Sequence, residues 1–455
     1  MSVAAAARGE DWRGLLLAAQ RELDAGEDDK ALATLGAALR RAPREAAIYR
    51  QLGVILHRQK RYEAALACFR RARDEEPNSA VQHANLGIAL RDLDRFAEAA
   101  EAAAEACRLA PDDPKHHFRR GYALLKAQRP AEAVPVLERA AALDPANNET
   151  ALTLALALLA SGDLQRGWPA YEARFGHKHS VREAFKERRW DGRRLDGTLL
   201  VTAEQGLGDA LQFVRYVPLA AARCRRLVLQ CQSGDEDLFR SVAGVAAVVA
   251  RNEAPKSFEA AIPLMSLPRV FGTTLETIPA DVPYVRVDEA RRRRMAALLQ
   301  PLAARRKVGI VWGGNPRHQE DARRSLPFRH VLELLAAPNV ALVSLQKGVR
   351  RQEMTQSGAA ALVQDMTPHI ATLGDNAAAI EQLDLLVACD TGLAHLAGAL
   401  GKPVWILLAS SCDWRWMSGR EDSPWYPTAR LFRQARPGDW EEVFGRVVAA
   451  LARLR

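Results

Sequence analysis

The chain has 455 residues, 48% of them hydrophobic and 26% charged, with a formal net charge of +9. That is core material for roughly two to four domains, and no apolar run is long enough to span a bilayer. The basic surplus alone does not make a nucleic-acid binder, which needs cations clustered with aromatics on one surface; the densest run, Arg291-Arg292-Arg293-Arg294, reads as a solvated face at a helix start or linker.

The start, Met1-Ser2-Val3-Ala4, has no basic segment ahead of a long apolar stretch, so no signal peptide is expected. Cys68, Cys107, Cys224, Cys231, Cys389 and Cys412 are scattered without metal-ligand spacing and read as reduced thiols of a cytoplasmic protein. Pro43, Pro77, Pro111 and Pro145 recur at a step of 34 residues. Gly53, Gly87 and Gly121 keep the same step, as do Ala31, Ala65, Ala99 and Ala133, and Ala38, Ala72, Ala106 and Ala140. This is the tetratricopeptide period and pattern. It predicts an all-α solenoid of about four repeats from Trp12 to Ala146. A degenerate further repeat is expected from Thr150 to Phe175, broken by Gly167 and Trp168-Pro169, so the helical region is bounded at 1–175. Stacked repeats leave a groove that commonly takes an extended peptide; self-association is the plainer use.

After Trp190-Asp191-Gly192 the pattern changes to short β-type runs alternating with helical segments. Leu199–Ala203, Leu227–Gln230 and Ala246–Val249 form one series, expected over 176–300. Val308–Trp312, Val340–Leu345, Leu385–Ala388 and Val404–Leu408 form another, over 301–455. Two successive α/β series imply two doubly wound lobes with ligands at the carboxyl ends of their strands. The first such loop, Glu204-Gln205-Gly206-Leu207-Gly208-Asp209, opens a helix expected over 210–222, and its glycines let the backbone bend beside a ligand. Asp235-Glu236-Asp237 reads as helix-start charge rather than a metal motif, so no metal is expected.

The second lobe opens with the loop Trp312–Ser325, which carries Asn315 and Arg324, with Arg323 the alternative to the latter, ahead of a helix expected near Ser325. Arginines there can pair bidentately with phosphate. Lys347 is a further phosphate candidate and Gln346 a base or ribose contact, with simple exposure the alternative for the cations. Between two apolar runs lies Asp390-Thr391-Gly392-Leu393-Ala394-His395, with Gly401 and Pro403 closing the helix it starts. Free N–H groups and a hydroxyl at a helix N-terminus make a phosphate site, and His395 falls one turn in. The late aromatics, including Trp414 and Trp425, are interrupted by charge and proline and read as a lid or sugar-stacking wall.

The 390–403 segment closely resembles the phosphate-binding segment of family 9, heptosyltransferase-like glycosyltransferases, which have the two-lobed GT-B fold. The Gly208-Asp209 loop is similar to their base-bearing loop. The resemblance implies Asp209 as general base, with Glu204 the nearby alternative, and Asp390, Thr391, Gly392, His395, Arg324, Lys347, Gln346 and Asn315 around a nucleotide-sugar. Glu204, Gln205, Gly208, Trp414 and Trp425 are the acceptor-side or loop candidates. The joined architecture resembles bacterial flagellin glycosyltransferases of the FlmG type. It implies a metal-independent, inverting transfer to a Ser/Thr hydroxyl of a protein, flagellin favoured, without a cofactor. The alternatives are a lipopolysaccharide or other glycan sugar transferase, and a non-catalytic repeat adaptor with a degenerate transferase domain.

Overall fold

The structure is a computed structural model that describes residues 3–176, 185–253, 257–318 and 320–454. It divides into two compact units, one ending at Ala157 and the other beginning at Leu158. The division falls inside the helix Asn148–Ser161.

The first unit is a row of helical hairpins. Val3–Asp24 pairs with Asp28–Arg41, Ala46–Arg58 with Tyr62–Glu75, Ala80–Asp92 with Phe96–Leu109, and Pro114–Lys126 with Pro130–Leu143. The repeated alanines are the reason the hairpins close. All eight, from Ala31 to Ala140, are 2% exposed or less. The glycines divide into two kinds. A Cβ at Gly53 would lie 2.5 Å from the Phe69 ring, and one at Gly121 2.4 Å from Leu137 Cγ. At Gly87 the facing surface is Ala99, Ala102 and Ala103, and a Cβ would meet nothing nearer than 3.4 Å.

The second unit holds two sheets. The first lobe has β1 (Leu195–Thr202), β2 (Cys224–Cys231), β3 (Ala247–Ala250) and β4 (Ala260–Pro263), in the order β3-β2-β1-β4. The second has β5 (Arg306–Val311), β6 (Val340–Ser344), β7 (Val363–Asp365), β8 (Leu385–Cys389), β9 (Val404–Leu408) and β10 (Ala429–Arg433), in the order β10-β9-β8-β5-β6-β7. Every pairing between these strands is parallel. The topology is consistent with the GT-B fold. β6, β8 and β9 are buried along their whole length, as strands covered on both faces must be. The C-terminal helix Trp440–Arg453 buries Trp440, Val443, Phe444, Val447 and Leu451 in the core of the second lobe.

Several sequence expectations change. The helix expected over 210–222 runs only from Leu207 to Phe213, then passes through a 3₁₀ turn into Val217–Ala221, because Pro218 has no N–H to continue the ladder. A helix does begin close to Ser325, at Phe328 after Pro327, but it runs only to Val331 before tightening into a 3₁₀ turn, Leu332–Ala336; Ser325 itself bonds Asp321. The 164–171 helix belongs to the second compact unit. There Gly167 admits Leu159, and Trp168 packs edge-on against Phe213, Trp414 and Trp425. The arginine run is not simply a solvated face. In the helix Glu289–Leu299, Arg291 pairs with Asp237 of the first lobe and Asp375 of the second, and Arg294 also pairs with Asp375.

The glycine contacts set a test. Gly87→Ala should be neutral or raise stability by up to about 1 kcal/mol, since alanine is the better helix former and the space exists. Gly53→Ala and Gly121→Ala should each lower it by about 1–3 kcal/mol through overpacking. Denaturant unfolding of the full chain followed by far-UV circular dichroism checks this; equal effects at all three sites would contradict the packing account.

Candidate active site

β8 is a five-residue, fully buried strand held between β5 and β9. Its exit is the turn Asp390-Thr391, from which the helix Gly392–Ala399 starts. Gly401, at φ +69°, ends the helix and lets the chain turn into β9. Thr391 has the extended backbone of an N-cap, but its hydroxyl makes no capping bond. The residue is 9% exposed and that oxygen has no hydrogen-bond partner. A buried hydroxyl without a partner is costly. Here it sits beside the first N–H groups of the helix, which have no partners within the helix. An anion would satisfy both.

His395 is placed differently from the expectation. It is 3% exposed; its Nδ1 lies 2.8 Å from the Tyr426 hydroxyl and its ring stacks on Trp416. Burial, then Arg415, Arg215 and Arg324, push its pKa well below the usual histidine range. A neutral imidazole cannot supply charge to a phosphate. His395 is instead the wall against which the first lobe rests: a Cβ at Gly208 would lie 2.8 Å from its Cδ2.

That contact brings the two glycine-bearing loops together. The helix Leu207–Phe213 packs directly on the helix Gly392–Ala399, with Leu207 against Gly392. Asp209 stands in the first turn of the former, half-buried, and its Oδ2 accepts from Gly206 N at 2.9 Å. Its Oδ1 accepts from Arg415 Nη2 at 2.6 Å. Arg415 also donates to Gln212 Oε1 at 2.7 Å and pairs with Asp413 at 2.9 Å. Burial pushes the Asp209 carboxyl up, while the Arg415 guanidinium pulls it back. Burial likewise raises Asp390, with Asp413 adding to it and Arg415 opposing. Asp390 Oδ1 is 3.9 Å from His395 Nε2.

Glu204 is not available as a base. It is 7% exposed, takes Arg174 with both oxygens at 2.9 and 3.1 Å, and accepts from Met265 N. Gln205 Nε2 reaches the Tyr171 hydroxyl at 3.3 Å. Gln346 is also structural: at 3% exposure its Oε1 accepts from Trp312 N and Gly313 N, and its Nε2 donates to Gly313 O and Lys347 O. It ties the ends of β5 and β6 together and has no free polar atom for a base or ribose. Trp414 and Trp425, 6% and 0% exposed, lie in the cluster around Trp168 and form neither lid nor sugar wall. Asn315 and Lys347 are exposed.

Arg324 is near the site but shared. Its Nε is 3.4 Å from the buried Asp321, whose other oxygen is 3.2 Å from Arg350 Nη2. The sequence reading missed Arg350 and Arg415. The alternation Asp413-Trp414-Arg415-Trp416 was the available signal, because charge set among tryptophans reads equally as a solvent face or as buried pairing. Among the described residues, no group of three or more His, Cys, Asp or Glu side chains is placed to share a metal ion.

Glu204→Ala should lower stability by about 3–5 kcal/mol, because it leaves Arg174 with one partner fewer in a buried network. Thermal unfolding checks it. A variant of unchanged stability that has lost all transfer activity would return Glu204 to the chemistry.

Two family profiles match different parts of the chain. The tetratricopeptide-repeat profile matches residues 16–80 and 84–148. The profile of glycosyltransferase family 9 (heptosyltransferase) matches residues 280–437, the segment that carries Asp390 to His395 and Arg415. Protein FlbA of Caulobacter vibrioides is 32% identical over 324 residues, which is 65% of this chain and 54% of that protein. The chain thus spans about half the length of the curated relative it matches. Among solved structures, a MamA fragment from Desulfovibrio magneticus aligns at 20% identity over 36% of this chain and 92% of that one, with a TM-score of 0.34. The tetratricopeptide protein YrrB aligns at 18% identity over 36% of this chain and 84% of that one, with the same score of 0.34. The chain therefore joins tetratricopeptide repeats to a heptosyltransferase-like glycosyltransferase domain.

Proposed function

We propose that this chain is an inverting, metal-independent glycosyltransferase that takes a sugar from a nucleotide donor and passes it to a hydroxyl of a protein acceptor. The observation that carries the reading is the meeting of Asp209 with the uncapped start of the Gly392 helix, at the carboxyl ends of β1 and β8. Transfer needs both halves of that junction. The donor's phosphate accepts hydrogen bonds from the Thr391 hydroxyl and the first N–H groups of the helix, where the helix dipole also favours negative charge. Arg324 and Arg350 add cationic support. These groups bind the charge that grows on the departing nucleotide as the glycosidic bond breaks. Asp209, as carboxylate, removes the proton from the attacking hydroxyl on the opposite face of the sugar.

The repeats support a protein as acceptor, with a Ser/Thr hydroxyl as nucleophile and flagellin as the leading case by resemblance. The heptosyltransferase match favours a second reading, in which the acceptor is a saccharide. The two separate in one experiment. Intact-mass analysis of flagellin from cells with and without the chain should show a glycan-sized mass loss without it. Unchanged flagellin, together with sugar transfer to an oligosaccharide by the chain shortened to its second unit, would favour the saccharide.

Asp209→Asn should lower kcat by about 10²- to 10⁴-fold. The ionised carboxylate is the active form, so wild-type activity should fall as pH drops through its pKa. Burial sets that fall at higher pH than an exposed aspartate near 3.9 would give. Thr391→Val should leave the melting temperature unchanged or raise it, since it removes a buried hydroxyl that makes no bond in the fold, but weaken donor binding by about 1.5 kcal/mol, roughly tenfold. Titration calorimetry with a panel of nucleoside diphosphates reads this directly, and unchanged affinity would remove Thr391 from the site.

A further inference from the structure

The structure holds an arginine that the transfer reaction, as set out above, does not use. Arg415 comes from the turn after β9 in the second lobe, yet its firmest contacts are with the first. Its Nη2 donates to Asp209 at 2.6 Å and its Nε to Gln212 at 2.7 Å. Its side chain is only 11% exposed, so these bonds form in a sheltered place where charge counts for more than at a surface. The third contact, Asp413 at 2.9 Å, comes from its own turn and accompanies it. Arg415 also lies within electrostatic reach of Asp390, which precedes Thr391, and of His395, one turn into the helix that Thr391 starts. It is therefore the cation common to the proposed base and the proposed phosphate site.

We propose that Arg415 is a positioning residue with two competing partners: it covers the Asp209 carboxylate until a donor phosphate at the start of the Gly392 helix draws the guanidinium to itself and uncovers the base. The inference rests on the functional reading above. Its physical basis is that a phosphate offers several acceptor oxygens and more charge than one carboxylate, and guanidinium forks pair with it bidentately. The arrangement makes the base usable only when a donor is bound, which protects the acceptor site from unproductive proton transfer.

The exchange has a signature in pH profiles. The groups that act on Asp209 are Arg415 and Asp413 from the β9 turn and Tyr171 from the Leu164 helix; His395 lies against the neighbouring Gly208, and Asp390 lies 3.9 Å from His395. Tyr171 keeps its proton through the acid range, because burial holds its pKa above the ordinary value. Burial, then Arg415, Arg215 and Arg324, hold the His395 pKa well below the usual histidine range. Asp413 pairs with Arg415 at 2.9 Å within the same turn. Asp390 is a second carboxylate that burial also raises, and Asp390→Asn separates its titration from that of Asp209. When Arg415 leaves, the carboxylate loses its cation and gains an anionic neighbour, so its pKa must rise.

The acid limb of kcat/KM for the donor reports the free enzyme and that of kcat reports the donor complex. In the wild-type full chain, the kcat limb should lie at higher pH than the kcat/KM limb by about 1 pH unit or more. Arg415→Met should move the kcat/KM limb up to meet it and raise the donor KM, while Arg415→Lys should restore part of the gap. Coincident limbs in the wild-type chain, or a gap that survives Arg415→Met, would overturn the exchange. A readout without turnover comes from calorimetry of each of UDP, CDP, GDP and ADP in buffers of different ionisation enthalpy. The nucleotide that binds should be taken up with a proton near the limb, and Asp209→Asn should abolish that uptake while binding persists. Binding without proton uptake contradicts the exchange and leaves the transferase reading standing; absence of binding by all four, with no transfer, contradicts both.

Discussion

The second unit depends on one close approach: the first turn of the Leu207 helix against the first turn of the Gly392 helix. Two missing side chains permit it. A Cβ at Gly208 would strike His395, and one at Gly392 would press on Leu207 at 3.1 Å. Because both helices follow parallel strands, their N-termini lie at the carboxyl ends of β1 and β8, where α/β sheets bind ligands. Everything assigned to the site follows from that geometry. Asp209 is carried there by one loop, Thr391 by the other, and Arg415 is drawn across between them.

Much of this could be read from the residues alone. The step of 34 residues located the hairpins, since each repeat must place the same small residues at the same helix contact. The two series of apolar runs located seven of the ten strands among the described residues. The missed ones, β4, β7 and β10, are short or carry proline, arginine or aspartate, so their composition does not separate them from loops. Asp209 and Asp390 to Gly392 could be singled out in the sequence because their loops resemble those of the heptosyltransferase-like family, and each does open a helix after a strand.

What could not be read was partnership. Glu204 and Gln346 look like site residues by position, but each is consumed by a neighbour distant in sequence, Arg174 and the β5 exit respectively. Trp414 and Trp425 look exposed because charges flank them, yet Trp168, more than two hundred residues earlier in the chain, completes their cluster. The arginine surplus behaves in the same way: Arg174, Arg215, Arg291 and Arg415 are bound internally. Burial and pairing are properties of the folded chain, and a linear reading has no period or spacing that encodes them.

The most direct test of the account is an experimental structure of the chain with a bound nucleoside diphosphate. The account predicts the phosphates at the start of the Gly392 helix, in hydrogen-bond contact with the Thr391 hydroxyl, with Asp209 facing the same cleft. A nucleotide bound elsewhere in the second unit, with Thr391 still without a partner, would contradict it.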